Sequence, residues 1–154
     1  MTIQEEEFIH FISCISWLDN ASWILDEIQT SSPNPLIHPA FRFALIEYSK
    51  PYKNSFGFQK KHILDTSYIP VEFLLLHERI VNSRDQIQAH TDLTVLSAQV
   101  YIYESQGRQR AGLVQNGISG VEELSNLDQI LAMIRATLDN MYGKVKLLEA
   151  ALPA

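Results

Sequence analysis

The strongest constraint on the fold is a seam of apolar residues that repeats every three or four positions over the last quarter of the chain. That spacing places the side chains on one face of an α-helix. Asp128 follows Ser125 by three positions, a pattern typical of a helix N-cap. We therefore expect a helix capped by Ser125 that runs for about 25 residues and about 38 Å. The seam consists of Leu127, Leu131, Ile134, Leu138, Met141, Val145, Leu148 and Leu152.

Three further segments carry helical spacing. A first helix is expected to begin at Thr2, where Glu5 completes a capping box, and to end in the proline-containing turn at residues 30–35. A second, short helix follows Pro39 and stops before Pro51. A third begins near Pro70, and its apolar stripe consists of Ile69, Phe73, Leu76, Ile80, Ser83, Ile87 and His90.

Residues 93–120 have a different character, because they combine strand-favouring residues with four of the six glycines. We predict a β-hairpin that turns at residues 105–108. A helical stripe through Leu93, Leu96, Val100 and Tyr103 is the alternative interpretation of the same segment.

Length and composition predict one domain over residues 1–154. The chain is 46% hydrophobic, and a chain of this size can sustain a core without cross-links. We predict a mainly α fold, an up-and-down four-helix bundle with a small β-hairpin insert at about 93–120 between the last two helices. The single Cys14 excludes an intrachain disulfide and fits a reducing compartment. The acidic N-terminus lacks the features of a signal peptide, so we expect a cytoplasmic protein without a membrane span.

The charge distribution allows a nucleic-acid surface at one place. The net charge is −6, and residues 1–30 contain acids but neither Lys nor Arg. The stretch from Lys50 to His62 contains no acid and has aromatic residues between its lysines, which is one pattern of an RNA-binding surface. The alternative is a solvated loop with anchoring aromatics. The candidate RNA-binding residues are Lys50, Lys53, Lys60 and Lys61.

Most catalytic motifs are absent from the sequence. His77-Glu78 could begin the His-Glu-x-x-His motif of a zinc protease, but Val81 occupies the position of the second histidine. The chain has no glycine-rich phosphate loop, no nucleophile elbow and no cysteine pair for zinc. Cys14 lies beside the apolar seam of the first helix, which favours a packed structural thiol. We therefore expect neither a metal nor another cofactor.

One constellation remains at the end of the third predicted helix, Arg84-Asp85-Gln86-Ile87-Gln88-Ala89-His90-Thr91-Asp92. It resembles the signature of the HEPN superfamily, in which an arginine is followed by four to six residues, the first of them polar, and then by a histidine. The all-helical architecture is also similar, although the insert at 93–120 departs from the minimal domain. The resemblance implies a helical bundle, a homodimer in which both motifs face one cleft, and metal-independent cleavage of RNA.

The residue chemistry suits that activity. His90 can exchange a proton near pH 7, and so activate a ribose 2′-OH or protonate a leaving oxygen. Arg84 offers a planar, permanently charged fork for the scissile phosphate, and Asp85 can orient either residue. On a regular helix Arg84 and His90 point about 120° apart, so they converge only if the helix distorts or if two chains share the site. Structural alternatives are a half-buried His90 and a solvent-facing Arg84.

Three functional hypotheses follow. The first is a homodimeric HEPN-like ribonuclease of the toxin or defence kind, with Arg84, Asp85 and His90 as catalytic residues. The second is a non-catalytic HEPN-like module for dimerisation or for a partner such as a minimal nucleotidyltransferase, which could dock on the acidic first helix. The third is a ligand-binding bundle that uses Phe41, Phe43, Tyr48 and Tyr52, although such aromatics usually belong to the core.

Overall fold

A computed structural model describes residues 1–88, 99–114 and 120–153. Within these ranges the fold is mainly helical, with two small antiparallel β-hairpins. The helices are α1 (Ile3–Thr30), α2 (Ile37–Ser49), α3 (Leu74–Gln88) and α4 (Leu127–Ala150). The strands are β1 (Ser55–Phe56), β2 (Lys61–His62), β3 (Gln99–Ser105) and β4 (Arg108–Val114).

The first helix begins as its sequence predicts. The Thr2 side chain accepts from the backbone N–H of Glu5, and the Glu5 carboxylate accepts from the backbone N–H of Thr2. This capping box satisfies two of the N–H groups that a helix start leaves unpaired. The helix ends at Thr30, and Ser31 then donates its backbone N–H to the carbonyl of Glu27.

The prediction that Ser125 caps the last helix is wrong. Ser125 lies within a 3-10 turn, Glu122–Asn126, and α4 begins one residue after that turn, with Asn126 at the N-cap position. The turn forms because Leu124 donates its backbone N–H to the carbonyl of Val121. The Asn126 side chain donates to Glu123 rather than capping α4.

The core forms where α1 packs against α2 and α4, and α2 packs against α3. It is built on the apolar faces that the sequence predicts for α1 and α4, and these two helices contribute most of its side chains. Burial of this surface is the main favourable term for folding. The largest fully buried side chains include Leu18, Leu25, Phe41, Leu45, Tyr48, Ile80, Ile130, Leu131, Met133, Ile134 and Met141.

Residues 99–114 form the predicted hairpin, which excludes the helical alternative for that range. The turn falls at Gln106 and Gly107, whose φ angles of 53° and 67° are both left-handed. Two left-handed residues in a two-residue loop match the right-handed twist of the strands that they join. Most residues of both strands are solvent-exposed, so the hairpin projects from the helical core.

The β1–β2 hairpin was not expected, since residues 50–62 carry no alternating apolar pattern. Ser55 pairs with His62, and Phe56 pairs with Lys61. The hairpin holds His62 inward, where it is buried, and leaves Phe56 exposed. It thereby creates a polar contact with α1 that bears on the functional site.

Candidate functional site

Two of the predicted catalytic residues, Arg84 and Asp85, lie on α3 and contact a predicted RNA-binding residue, Lys53. The Asp85 carboxylate accepts from Lys53 Nζ at 2.6 Å through Oδ2 and from Arg84 Nη1 at 3.0 Å through Oδ1. Lys53 follows the 3-10 turn Lys50–Tyr52 at the end of α2. The fold therefore brings together two cations and one carboxylate from segments 31 residues apart.

The charges of this cluster favour an ionised carboxylate. Burial by itself would raise the pKa of Asp85, but hydrogen bonds from Lys53 and Arg84 outweigh it and lower the pKa below its ordinary value. The side chain of Asp85 is 47% exposed and that of Arg84 is 19% exposed. The cluster keeps one positive charge in excess of the carboxylate at neutral pH, at a place that solvent reaches.

The guanidinium of Arg84 has hydrogen-bonding capacity left over. Its Nε is buried and has no hydrogen-bond partner among the described residues. Only Nη1 donates to Asp85. A guanidinium has five N–H donors in a fixed fork, and among the described residues Arg84 donates to Asp85 through Nη1, so the N–H groups of Nη2 can serve an anionic ligand such as a phosphate.

The third predicted catalytic residue, His90, lies outside the described residues, as does Asp92. Helix α3 is described as far as Gln88. How His90 is arranged relative to Arg84 therefore stays a prediction, and so does the convergence of the two residues in a dimer.

The other three lysines of the base-rich stretch differ in their surroundings. Lys50 pairs with Glu47 and lies 6.0 Å from the centre of the Trp17 ring. Lys60 pairs with Glu7 on α1. Lys61 is exposed and lies over the ring of Phe56 at 5.1 Å. Three of the four candidate lysines, counting Lys53, thus have a carboxylate partner, and an RNA phosphate would have to compete with it.

Beneath the cluster lies a buried aromatic group. The hydroxyl of Tyr48 and Nδ1 of His77 are hydrogen-bonded at 2.8 Å, and the ring of Tyr52 packs edge-on against His77 at 4.4 Å. Burial and, to a smaller extent, the charge of Lys53 together lower the pKa of His77 to about 4. His77 is therefore neutral at pH 7. Of the aromatics proposed for ligand binding, Phe41, Tyr48 and Tyr52 belong to the core, whereas Phe43 is exposed.

A second polar group lies between α1 and the β1–β2 hairpin, and no sequence pattern predicts it. Glu6 accepts from His62 Nε2 at 2.9 Å and from the backbone N–H of Gln59 at 3.1 Å. Both Glu6 and His62 are buried, and the ring of His10 stacks on His62 at 5.1 Å. A glutamate in the first turn of an acidic helix is typical of a solvated residue, so only the tertiary contact identifies this pair.

No group of three or more His, Cys, Asp or Glu side chains in the described part of the chain is arranged to hold a metal ion. None of the described helices is both long and apolar enough to cross a membrane. The chain matches no protein-family model, no curated protein and no solved structure at a significant level.

Proposed function

We propose that this chain is a HEPN-like, metal-independent endoribonuclease that cleaves RNA by attack of a ribose 2′-OH on the adjacent phosphate. The observation that carries the proposal is the contact of Arg84 with Asp85 and of Asp85 with Lys53. It holds a guanidinium, with donors that no described residue uses, beside a second cation at a surface that solvent reaches. Such a pair can bind the scissile phosphate and stabilise the charge that develops on it.

His90 is the acid–base residue in this proposal. Six positions after Arg84, it is near enough in sequence to act on the same phosphate if α3 distorts or if two copies of the chain share the site. Asp85 is a positioning residue, because it touches both cations rather than the reacting atoms. Lys53 contributes charge to the bound phosphate, and Lys50, Lys60 and Lys61 extend that charge toward flanking nucleotides.

The proposal includes an architecture. The four helices form an up-and-down bundle within one domain, and two copies of the chain pair so that both motifs face a common cleft. We place the protein in the cytoplasm, where an RNA toxin or defence nuclease would meet its substrate. No metal or other cofactor takes part.

The test is a nuclease assay in excess EDTA with mixed structured and unstructured RNA. We expect cleavage that leaves 2′,3′-cyclic phosphate ends and that is lost in Arg84→Ala and His90→Ala. Arg79→Ala is the matched control, because Arg79 lies on the same helix and pairs with Glu123 instead of Asp85. Cleavage by His90→Ala at the wild-type rate would refute the assignment.

A second candidate function is a non-catalytic module that binds a basic partner, such as a minimal nucleotidyltransferase, or a second copy of the chain. The observation in its favour is an apolar groove of about 470 Å³ between the end of α1 and the start of α2. Trp23, Leu36 and Phe43 line it and are 65%, 73% and 53% exposed. Glu27 also lines it, on a helix that has no Lys or Arg, so charge favours a basic partner over an acidic one.

RNA cleavage separates the two candidates, and size measurements test the groove. If the groove mediates association, Trp23→Ala and Phe43→Ala dissociate the dimer or the complex in analytical ultracentrifugation, and no RNA is cleaved. A protein that stays monomeric at high concentration would contradict this candidate and the dimeric nuclease together.

A further inference from the structure

A cavity of about 380 Å³ lies between the first half of α1 and the β1–β2 hairpin. This volume falls in the range of small-molecule sites, and it suffices for one planar ring system with a sugar. Three aromatic residues line the cavity, Trp17 from α1 and Phe56 and Phe58 from the hairpin. Aromatic walls of this kind are suited to a flat ligand.

The two phenylalanines are almost completely solvent-exposed. Phe56 is 80% exposed and Phe58 is 90% exposed, although both line the cavity. Leaving two large apolar rings in water forgoes the stabilisation that their burial would give. Exposed aromatic rings beside basic side chains are the stacking platforms of single-stranded nucleic-acid binding. Lys61 already lies over the Phe56 ring, and Lys60 belongs to the same hairpin.

The floor of the cavity is polar and fixed. Buried Glu6 holds His62 by a hydrogen bond, and His62 in turn stacks against His10. The hairpin approaches Glu6 so closely that a Cβ on Gly57 would overlap its carboxylate. Burial, assisted by His62, lowers the pKa of His10. A neutral imidazole has one donor and one acceptor nitrogen. Cys14 Sγ, 3.6 Å from Nε2 of His10, can engage one of the two, and the other suits the edge of a nucleobase.

We propose that this cavity is a nucleobase-binding site, in which an RNA base stacks on Phe56 or Phe58 and meets His10 and His62 with its edge. Ser55 lines the cavity and follows Lys53 by two residues. The Cα atoms of Ser55 and Lys53 are therefore at most about 7 Å apart. The inference deepens the proposed nuclease function and rests on it, because it assigns a base subsite to the same RNA that Arg84 and Lys53 bind.

The test uses an RNA that cannot be cleaved, an unstructured 2′-O-methyl oligonucleotide of mixed sequence. Trp17 lines the cavity, whereas the chain's other tryptophan, Trp23, does not. The variant Trp23→Phe therefore leaves Trp17 as the sole fluorescent reporter. We expect saturable quenching of Trp17 as the oligonucleotide is added.

In the Trp23→Phe background, Phe56→Ala combined with Phe58→Ala should weaken binding by about tenfold or more, the range for loss of base stacking. Leu147→Ala is the control, since it removes an exposed apolar side chain on α4 outside the cavity and should leave binding unchanged. Circular dichroism verifies that each variant is folded. The proposal is overturned if the oligonucleotide quenches Trp17 equally with and without the two phenylalanines. It is also overturned if their removal changes the oligomeric state of the protein but not the quenching.

The base site and the nuclease activity can be refuted independently of each other. Quenching that depends on Phe56 and Phe58, in a protein that cleaves no RNA, supports the base site and refutes the nuclease. Cleavage that depends on Arg84 and His90, with quenching that ignores both phenylalanines, supports the nuclease and refutes the base site.

Discussion

Glu6 on α1 and His62 on β2 are joined by a hydrogen bond of 2.9 Å between two buried side chains. The contact ties the β1–β2 hairpin to the helix that forms one side of the core. A buried carboxylate is costly unless it is paired, and here the backbone N–H of Gln59 supplies a second donor. The close approach of the hairpin backbone to Glu6 therefore determines the position of the hairpin. It also determines the shape of the adjoining cavity.

That close approach predicts opposite effects of two Gly→Ala substitutions. A Cβ at Gly57 would overlap the Glu6 carboxylate and come within 2.8 Å of the Lys60 carbonyl oxygen, so Gly57→Ala should destabilise the fold by about 1–3 kcal/mol. Gly143 is exposed on α4 with no atom near its missing Cβ, so Gly143→Ala should stabilise by about 0.5–1 kcal/mol. Urea unfolding measures both. A Gly57→Ala protein as stable as wild type would contradict the packing described here.

His77 predicts a pH dependence of stability. Burial holds its pKa at about 4 in the folded protein, below the ordinary value of 6.5. Between these values the unfolded chain binds more protons than the folded one, so the free energy of unfolding should fall as the pH decreases from about 6.5 to about 4. The full effect of this group is about 3 kcal/mol.

The control for His77 removes the titrating group without leaving a buried hydroxyl unpaired. Tyr48→Phe combined with His77→Phe deletes both members of their hydrogen bond. Urea unfolding at several pH values should show a smaller loss of stability toward pH 4 in the double variant than in the wild type. Parallel pH profiles would indicate that His77 is protonated in the folded protein at a much higher pH.

Local patterns in the sequence predicted the elements that local interactions determine. Thr2 and Glu5 form the predicted capping box, since their contact spans three residues. The turn at Gln106 and Gly107 is also found where it was predicted. The Ser125 cap was wrong because a 3-10 turn competes with the α-helix for the same residues, and the spacing of the apolar seam does not distinguish the two.

The sequence could not predict contacts between distant segments. Glu6 meets His62 across 56 positions, and Lys53 meets Asp85 across 32. Neither pair leaves a periodic signal, because each residue alone fits a solvated surface. The motif around Arg84 predicts candidate catalytic residues, but only the fold places Lys53 beside Asp85.

Cys14 is predicted to be chemically inert in the folded protein. Its side chain is fully buried, and burial raises the pKa of the thiol to about 12, so almost no thiolate exists at neutral pH. Ellman's reagent should therefore react with the native protein only as fast as the chain unfolds, and should react at once in urea. Rapid stoichiometric labelling of the native protein would place Cys14 at an accessible surface.

The β3–β4 turn predicts a local stabilising substitution. Gln106 has a φ of 53°, a conformation that asparagine tolerates better, and Asn-Gly is the preferred sequence for such a turn. Gln106→Asn should stabilise the hairpin by about 1 kcal/mol, and Gly107→Ala should destabilise it by a similar amount. Because the hairpin projects from the core, the effect should appear in amide exchange of the hydrogen-bonded Tyr103–Arg110 pair rather than in global unfolding. Equal exchange rates in both variants would argue against a left-handed turn.

Asp85 is predicted to position Arg84 and Lys53 for catalysis without itself reacting. Asp85→Asn keeps the shape of the side chain but removes the charge that holds both cations, so the rate of RNA cleavage should fall by up to about a hundredfold with a smaller change in RNA affinity. Asp85→Glu should restore part of the rate, since it restores the charge. Glu123→Gln is the matched control, because it removes the carboxylate partner of Arg79 on the same helix and should leave the rate unchanged. If Asp85→Asn cleaves as fast as wild type, Arg84 is oriented by something other than this carboxylate.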